Sequence, residues 1–169
     1  MKKVKFETSL GSFTVELDEK KAPITCENFL TYVKEGFYDG TVFHRVIKGF
    51  MIQGGGLTKH LIEKDTHEPI KNEASNGLKN DRFTIAMART GDPHSATSQF
   101  FINTVDNAYL DFRSETTDGW GYCVFGKVTD GTDTILKIAN VSTGAFRQYM
   151  YRKDLPVENV EILSAREVD

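Results

Sequence analysis

Val4, Phe6 and Thr8 alternate with Lys5, Glu7 and Ser9, and Phe13, Val15 and Leu17 alternate with Thr14, Glu16 and Asp18. With Leu10-Gly11-Ser12 between the two runs, this predicts a β-hairpin with one buried and one wet face. The period then changes. Cys26, Phe29, Leu30, Val33 and Phe37 recur at three- and four-residue steps, with Pro23 suited to the first turn of a helix and Gly36 to its end. A helix that must bury this stripe fits over the open mouth of a sheet or barrel.

The stretch Thr41 to Gly56, TVFHRVIKGFMIQGGG, reads as two short strands joined at Lys48-Gly49 and followed by three glycines. Alternation puts Phe43, Arg45 and Ile47 on one side and Val42, His44 and Val46 on the other. Arg45 is then a cation in an apolar row, costly to desolvate unless it has a partner or a task. Gln53 follows the apolar run Phe50-Met51-Ile52, and the glycines free the backbone for conformations other residues avoid. An arginine, an amide and a hydrophobic wall this close together point to a site that grips something half apolar and half carbonyl.

Residues 57–80 read as a long polar loop, functional or locally braced. Phe83 to Ala88 and Gln99 to Asn103 read as strands, the second with Gln99, Phe101 and Asn103 opposite Phe100 and Ile102. Asp106 to Phe112 is a tight turn or one helical turn exposing Tyr109 and Leu110; Ser114 to Gly121 is loop and Tyr122 to Val128 strand. Thr132 or Asp133 caps a short helix carrying Ile135, Leu136, Ile138 and Ala139. After a polar loop at 142–156, Val157, Val160, Ile162 and Ala165 mark a last strand. Many short strands with two helices define a mainly β fold, a closed antiparallel barrel with a helix over each end, which exposes no sheet edge.

No repeat or boundary divides the 169 residues, so a single domain over 1–169 is expected. A net charge of −3 offers no basic field for nucleic acid or an anionic membrane. The start lacks the apolar core of a signal peptide and no membrane-length apolar run follows, so a cytoplasmic location is expected. Cys26 and Cys123 could form one disulfide; without a secretion signal, two reduced, packed thiols are expected. The histidines (His44, His60, His67, His94) show no metal-ligand spacing, and no metal is expected.

Each candidate also has a structural reading. Arg45 could pair with Asp39 or Glu73, Phe101 and Met51 could be core, and Gln99 could cap a loop. His44 reads as an interior histidine rather than a general base. The three glycines lack the helix start and lysine of a phosphate-binding loop.

Phe43 to Gly56 (FHRVIKGFMIQGGG), Met87-Ala88, Ser98 to Ile102 (SQFFI), Tyr109 to Asp111 (YLD) and Val124 to Val128 (VFGKV) occur in an order that resembles the cyclophilins. These are peptidyl-prolyl cis-trans isomerases; the chain is most similar to the small bacterial cytoplasmic type, over almost its entire length. The resemblance implies an eight-stranded antiparallel barrel capped by two helices and an activity needing no cofactor or metal. It implies proline-containing peptides and unfolded or flexible protein segments as partners, and a monomer is expected. By position, the catalytic group falls on Arg45, Gln53 and Phe101. Substrate binding falls on Phe50, Met51, Ala88, Arg89, Gln99, Tyr109, Leu110 and Tyr122.

Three positions depart from the commonest eukaryotic pattern. Arg89 stands for an asparagine, which alters the grip on the residue before proline. Tyr109 stands for a tryptophan, removing the indole N–H that holds cyclosporin, so a reduced affinity for that drug is expected. Tyr122 stands for a histidine and keeps that wall aromatic. Two other classes remain open. A proline-peptide binding module would need the pocket without the arginine, and a hydrolase or nuclease using His44 or His94 lacks evident partner residues.

Overall fold

The computed structural model describes residues 1–144 and 154–169. The predicted hairpin is β1 (Lys3–Thr8) and β2 (Gly11–Leu17), with Val4 opposite Val15 and Phe6 opposite Phe13. The amphipathic stripe forms α1 (Pro23–Lys34), which buries Cys26, Phe29, Leu30 and Val33 and also Tyr32. Then come β3 (Arg45–Ile47), β4 (Met51–Gly54), β5 (Thr84–Met87), β6 (Phe100–Asn103), β7 (Val124–Asp130), α2 (Thr132–Ala139) and β8 (Ile162–Val168). Single 3-10 turns lie at Ala74–Asn76 and Ala108–Leu110.

The strands make one antiparallel sheet in the order β3-β4-β6-β5-β7-β2-β1-β8. Its end strands β3 and β8 do not pair, so the closed barrel expected from the pattern is instead a curled, open sheet. The chain ahead of β3 explains the difference. Phe43 N–H donates to Val160 O (2.9 Å), Gly40 N–H to Ile162 O (2.8 Å) and Ile162 N–H to Thr41 O (2.7 Å). Irregular backbone therefore satisfies edge groups that a ladder would otherwise need.

That segment also breaks the expected alternation. Phe43 joins Val46 in the main core, opposite in side to Arg45, because residues 41–44 are not yet strand. Within β3 the alternation holds: Val46 is buried, while Arg45 is exposed. The α2 cap differs too. Gly131, at φ 83, is the N-cap and no side chain caps the helix, since a left-handed backbone there favours glycine; Asp133 instead lies in the first turn, where a carboxylate suits the helix dipole. The loop expected at 142–156 lies partly outside the described residues, and Val157 precedes β8 as an exposed residue.

Two apolar clusters result. In the main core Phe29 of α1 sits among Phe6, Tyr38, Phe100 and Phe125, with ring centroids 5.1–6.1 Å apart. A fully buried ring of this kind contributes about 2 kcal/mol over an exposed one. The second cluster contains Met51, Ala86, Ala88, Phe101 and Val124, with Ile47, Phe50, Leu78, Leu110 and Tyr122 against it. Period two separates them: Phe100 and Ile102 of β6 enter the main core, and Phe101 enters the other.

The 57–80 loop is braced. Ile70 N–H donates to Ala96 O at 3.0 Å, Lys64 Nζ to Phe37 O at 2.6 Å, and His67 Nε2 lies 2.8 Å from Glu35 Oε1. Among the described residues, no helix is long and apolar enough to cross a membrane.

Candidate active site

The second cluster floors an open cleft of about 120 Å³. Strand register builds its central row. Arg45 is opposite Gln53 across β3 and β4, and Gln53 is opposite Phe101 across β4 and β6. Neighbouring strands are about 5 Å apart, so the arginine and phenylalanine backbones are roughly 10 Å apart. Arg45 is exposed, contrary to the expected cation embedded in an apolar row, while Phe101 is only 4% exposed. A charge at the rim above a greasy floor avoids the desolvation cost.

The structural alternatives for Arg45 are otherwise engaged. Asp39 takes the Arg166 guanidinium at 2.6 Å, and Glu73 accepts from Thr25 N–H (2.7 Å) and Oγ1 (2.8 Å). Arg45 Nη1 instead donates to Gln53 Oε1 over a long 3.4 Å, and Gln53 Nε2 donates to Gln99 Oε1 at 3.0 Å. The guanidinium is thus steered by an amide yet keeps most of its donors for another acceptor.

Of the other sequence-predicted residues, Phe50, Met51, Ala88, Arg89, Leu110 and Tyr122 line the cleft. Tyr122 meets Phe101 edge-on at 5.7 Å. Arg89 turns back on its own chain: Nε and Nη2 donate to Gly121 O (3.1 and 2.9 Å), Nη1 donates to Thr90 O (2.9 Å), and the guanidinium lies 4.4 Å from the Tyr122 ring centroid. It acts as a wall behind Tyr122. Two predicted residues stand outside the lining. Gln99 accepts from Gln53 Nε2, and Tyr109, 67% exposed, stacks on Phe50 at 6.0 Å.

The three glycines serve different needs. Gly55 takes φ 89, whereas a Cβ on Gly54 would lie 2.7 Å from Val42 O and one on Gly56 2.5 Å from Gln99 Cγ. Gly55 needs both conformational freedom and the missing side chain, since a Cβ there would lie 2.7 Å from the Phe100 ring; the other two need only the missing side chain. Both cysteines are free and buried; burial pushes the Cys26 thiol up to about 12 and Cys123 up to about 11, so neither is a nucleophile near neutrality. The sequence reading missed a set of buried amides behind the cleft. Asn80, Asn103 and Asn107 reach the backbone carbonyls of Leu110, Tyr122 and Phe50. The one available signal was Asn103, a polar residue on the site-facing side of β6.

A rim guanidinium over an apolar floor can hold a nonpolar group and donate hydrogen bonds beside it. Comparison with known proteins gives the family. The family described as "Cyclophilin type peptidyl-prolyl cis-trans isomerase/CLD" matches residues 3–167. The chain belongs to the cyclophilin-type peptidyl-prolyl cis-trans isomerases and is an enzyme of that class. It is 55% identical over 166 residues to peptidyl-prolyl cis-trans isomerase cyp18 of Streptomyces antibioticus, covering 98% of each chain. It is 56% identical over 161 residues to peptidyl-prolyl cis-trans isomerase B of Escherichia coli, covering 95% of this chain and 96% of that one. Among solved structures, a Cryptosporidium parvum cyclophilin-type isomerase, crystallised in the presence of the dipeptide Ala-Pro, superposes with a TM-score of 0.79 at 28% identity, covering 99% of both chains.

Proposed function

We propose that the chain, as one domain over 1–169, accelerates rotation of Xaa-Pro bonds in proline-containing peptides and in unfolded or flexible protein segments, with Arg45 stabilising the twisted amide. The Arg45–Gln53–Phe101 row carries this reading. Twisting the amide costs ~18–20 kcal/mol because resonance is lost. No bond breaks, so neither nucleophile nor proton acceptor is needed. In the twisted state the proline nitrogen regains its lone pair and becomes a hydrogen-bond acceptor, which it is not when planar. A guanidinium aimed at that nitrogen stabilises the transition state more than the substrate.

The ring must be held while the acyl side turns. Phe101 and Met51 provide the floor, and Leu110, Phe50 and Tyr122 the walls. Gln53 orients Arg45, and Gln99 holds Gln53. Ala88 and Arg89, both in the cleft lining, grip the peptide backbone before proline, with Gln99 supporting them through Gln53. A reduction of ~7 kcal/mol in the barrier would give about 10⁵-fold acceleration. The same reading extends to a cytoplasmic monomer with weakened cyclosporin binding, on the strength of its likeness to the small bacterial isomerases and of Tyr109.

Two-dimensional exchange NMR on a short Xaa-Pro peptide tests the assignment without a coupled protease. Cis-trans exchange faster than in buffer alone is the expected result. Saturable binding with no faster exchange would make the chain a peptide-binding module instead.

A further inference from the structure

Isomerisation gives no direct task to the three amides behind the cleft, yet they are 1%, 0% and 3% exposed at Asn80, Asn103 and Asn107. Their bonds run one way. Asn107 Nδ2 donates to Phe50 O (3.0 Å) and to Asn103 Oδ1 (2.8 Å). Asn103 Nδ2 donates to Asn80 Oδ1 (3.0 Å) and Thr84 Oγ1 (2.9 Å). Asn80 Nδ2 is shared among Leu110 O (3.2 Å), Tyr122 O (3.3 Å) and Asp111 Oδ1 (3.2 Å). Backbone bonds reinforce the chain: Asn107 N–H donates to Asn80 O at 2.8 Å, and Asn80 N–H donates to Asp111 Oδ1 at 2.7 Å.

The ends of this chain fall on carbonyls of three residues whose side chains wall the cleft. All three sit just outside the strand ladders, Phe50 before β4, Leu110 on a 3-10 turn and Tyr122 before β7. Backbone bonds hold Phe50 O to Thr104 N–H (3.1 Å) and Leu110 O to Tyr122 N–H (2.9 Å), but the strand ladders do not pair the Phe50 wall with the Leu110 and Tyr122 wall. Buried carbonyls need donors, and because Phe50 O and Leu110 O each take one backbone N–H already, an apolar side chain in place of a carboxamide would remove their second bond. A carboxamide supplies two donors and an acceptor, so each can hold one wall and pass a bond to the next.

We propose that Asn107, Asn103 and Asn80 form a positioning relay that ties the Phe50 wall to the Leu110 and Tyr122 wall and so sets the width of the slot for the proline ring. The relay rests on the reading of the cleft as the proline site. It touches no reacting atom, and the ring is held alike in the planar and twisted states. Its loss therefore weakens both states equally, raising KM and sparing kcat.

The test compares wild type, Asn107→Ala, Asn80→Ala, the double variant and Arg45→Ala on one Xaa-Pro peptide. KM and kcat are taken from exchange rates across peptide concentrations, at a temperature where thermal unfolding shows each protein fully folded. Each single amide variant should raise KM about tenfold, the scale of one lost buried hydrogen bond, with kcat within about twofold of wild type. The double variant should fall short of the product of the singles, because one relay is broken only once. Should an alanine variant not fold, Asn107→Ser, which keeps one donor, takes its place. Unchanged KM in folded variants, or multiplicative effects in the double variant, overturns the relay while leaving the cleft reading intact. A wild-type protein that fails to accelerate exchange removes the cleft reading, and the relay with it.

Discussion

Arg45 and Phe101 occupy one cross-strand row with Gln53 between them, set by the registers of β3 with β4 and of β4 with β6. A slip of one residue in either pairing would send one of the two to the opposite face. The site is thus a consequence of register, and the same register keeps Phe100 and Ile102 in the main core. Stability and site geometry are specified together.

Gly56 is open to a sharp test. A Cβ there would lie 2.5 Å from Gln99 Cγ and 2.6 Å from Nε2, so Gly56→Ala must displace the amide that holds Gln53. We expect kcat/KM to fall about tenfold, the scale of one lost hydrogen bond. Gly49→Ala is the control: nothing lies within 4 Å of a Cβ there, but φ is +71, so it should cost about 1 kcal/mol of stability and spare turnover. Denaturation and exchange assays on both check this; equal losses of turnover would contradict the Gln99 role.

Tyr109 is 67% exposed and stacked on Phe50, leaving solvent-side room for a larger ring. Tyr109→Trp restores an indole N–H at the cleft's edge. Cyclosporin affinity, measured by calorimetry, should rise by roughly tenfold, the scale of one added hydrogen bond. An unchanged affinity would contradict the role given to residue 109.

Asp39 gives a pH signature. The Arg166 guanidinium, bonded at 2.6 and 2.9 Å, holds its carboxyl below the usual carboxylate range despite partial burial. A depressed folded value contributes stability that is complete above the unfolded value of about 3.9 and is lost as pH falls through the lower folded value. Urea midpoints of wild type and Asp39→Asn should therefore differ by a constant amount at neutral pH and converge in strong acid. A difference that widens on acidification would contradict the pairing.

Much of this was legible in the chain. The β1–β2 hairpin and α1 could be read because burying one face imposes a period of two or 3.6 on Val4 to Leu17 and Cys26 to Val33. The cleft residues could be read through the resemblance carried by Phe43 to Gly56, Met87-Ala88 and Ser98 to Ile102, since alternation alone leaves Phe101 and Met51 as core. What escaped depends on distant partners or on backbone angles. The parity slip at Phe43 follows from bonds to Val160 and Ile162, which no local pattern signals. Phe83 takes φ 66, a region that favours glycine, so β5 starts at Thr84 rather than Phe83. Asn80 and Asn107 look like turn residues, and only the fold buries them. Arg45 reads from the sequence as part of a short strand, and β3 begins there, but its exposure depends on where the sheet's edge falls.

Arg45 carries the central claim, and its replacement tests it most directly. Exchange NMR on an Xaa-Pro peptide, with binding measured on the same samples, should show kcat lowered by ~10²–10³ in Arg45→Ala, as for loss of a donor to the transition state, while peptide affinity changes only a few-fold. Arg45→Lys, which keeps charge but loses the planar fork, should fall between. Near-normal kcat in a folded Arg45→Ala protein would contradict the account.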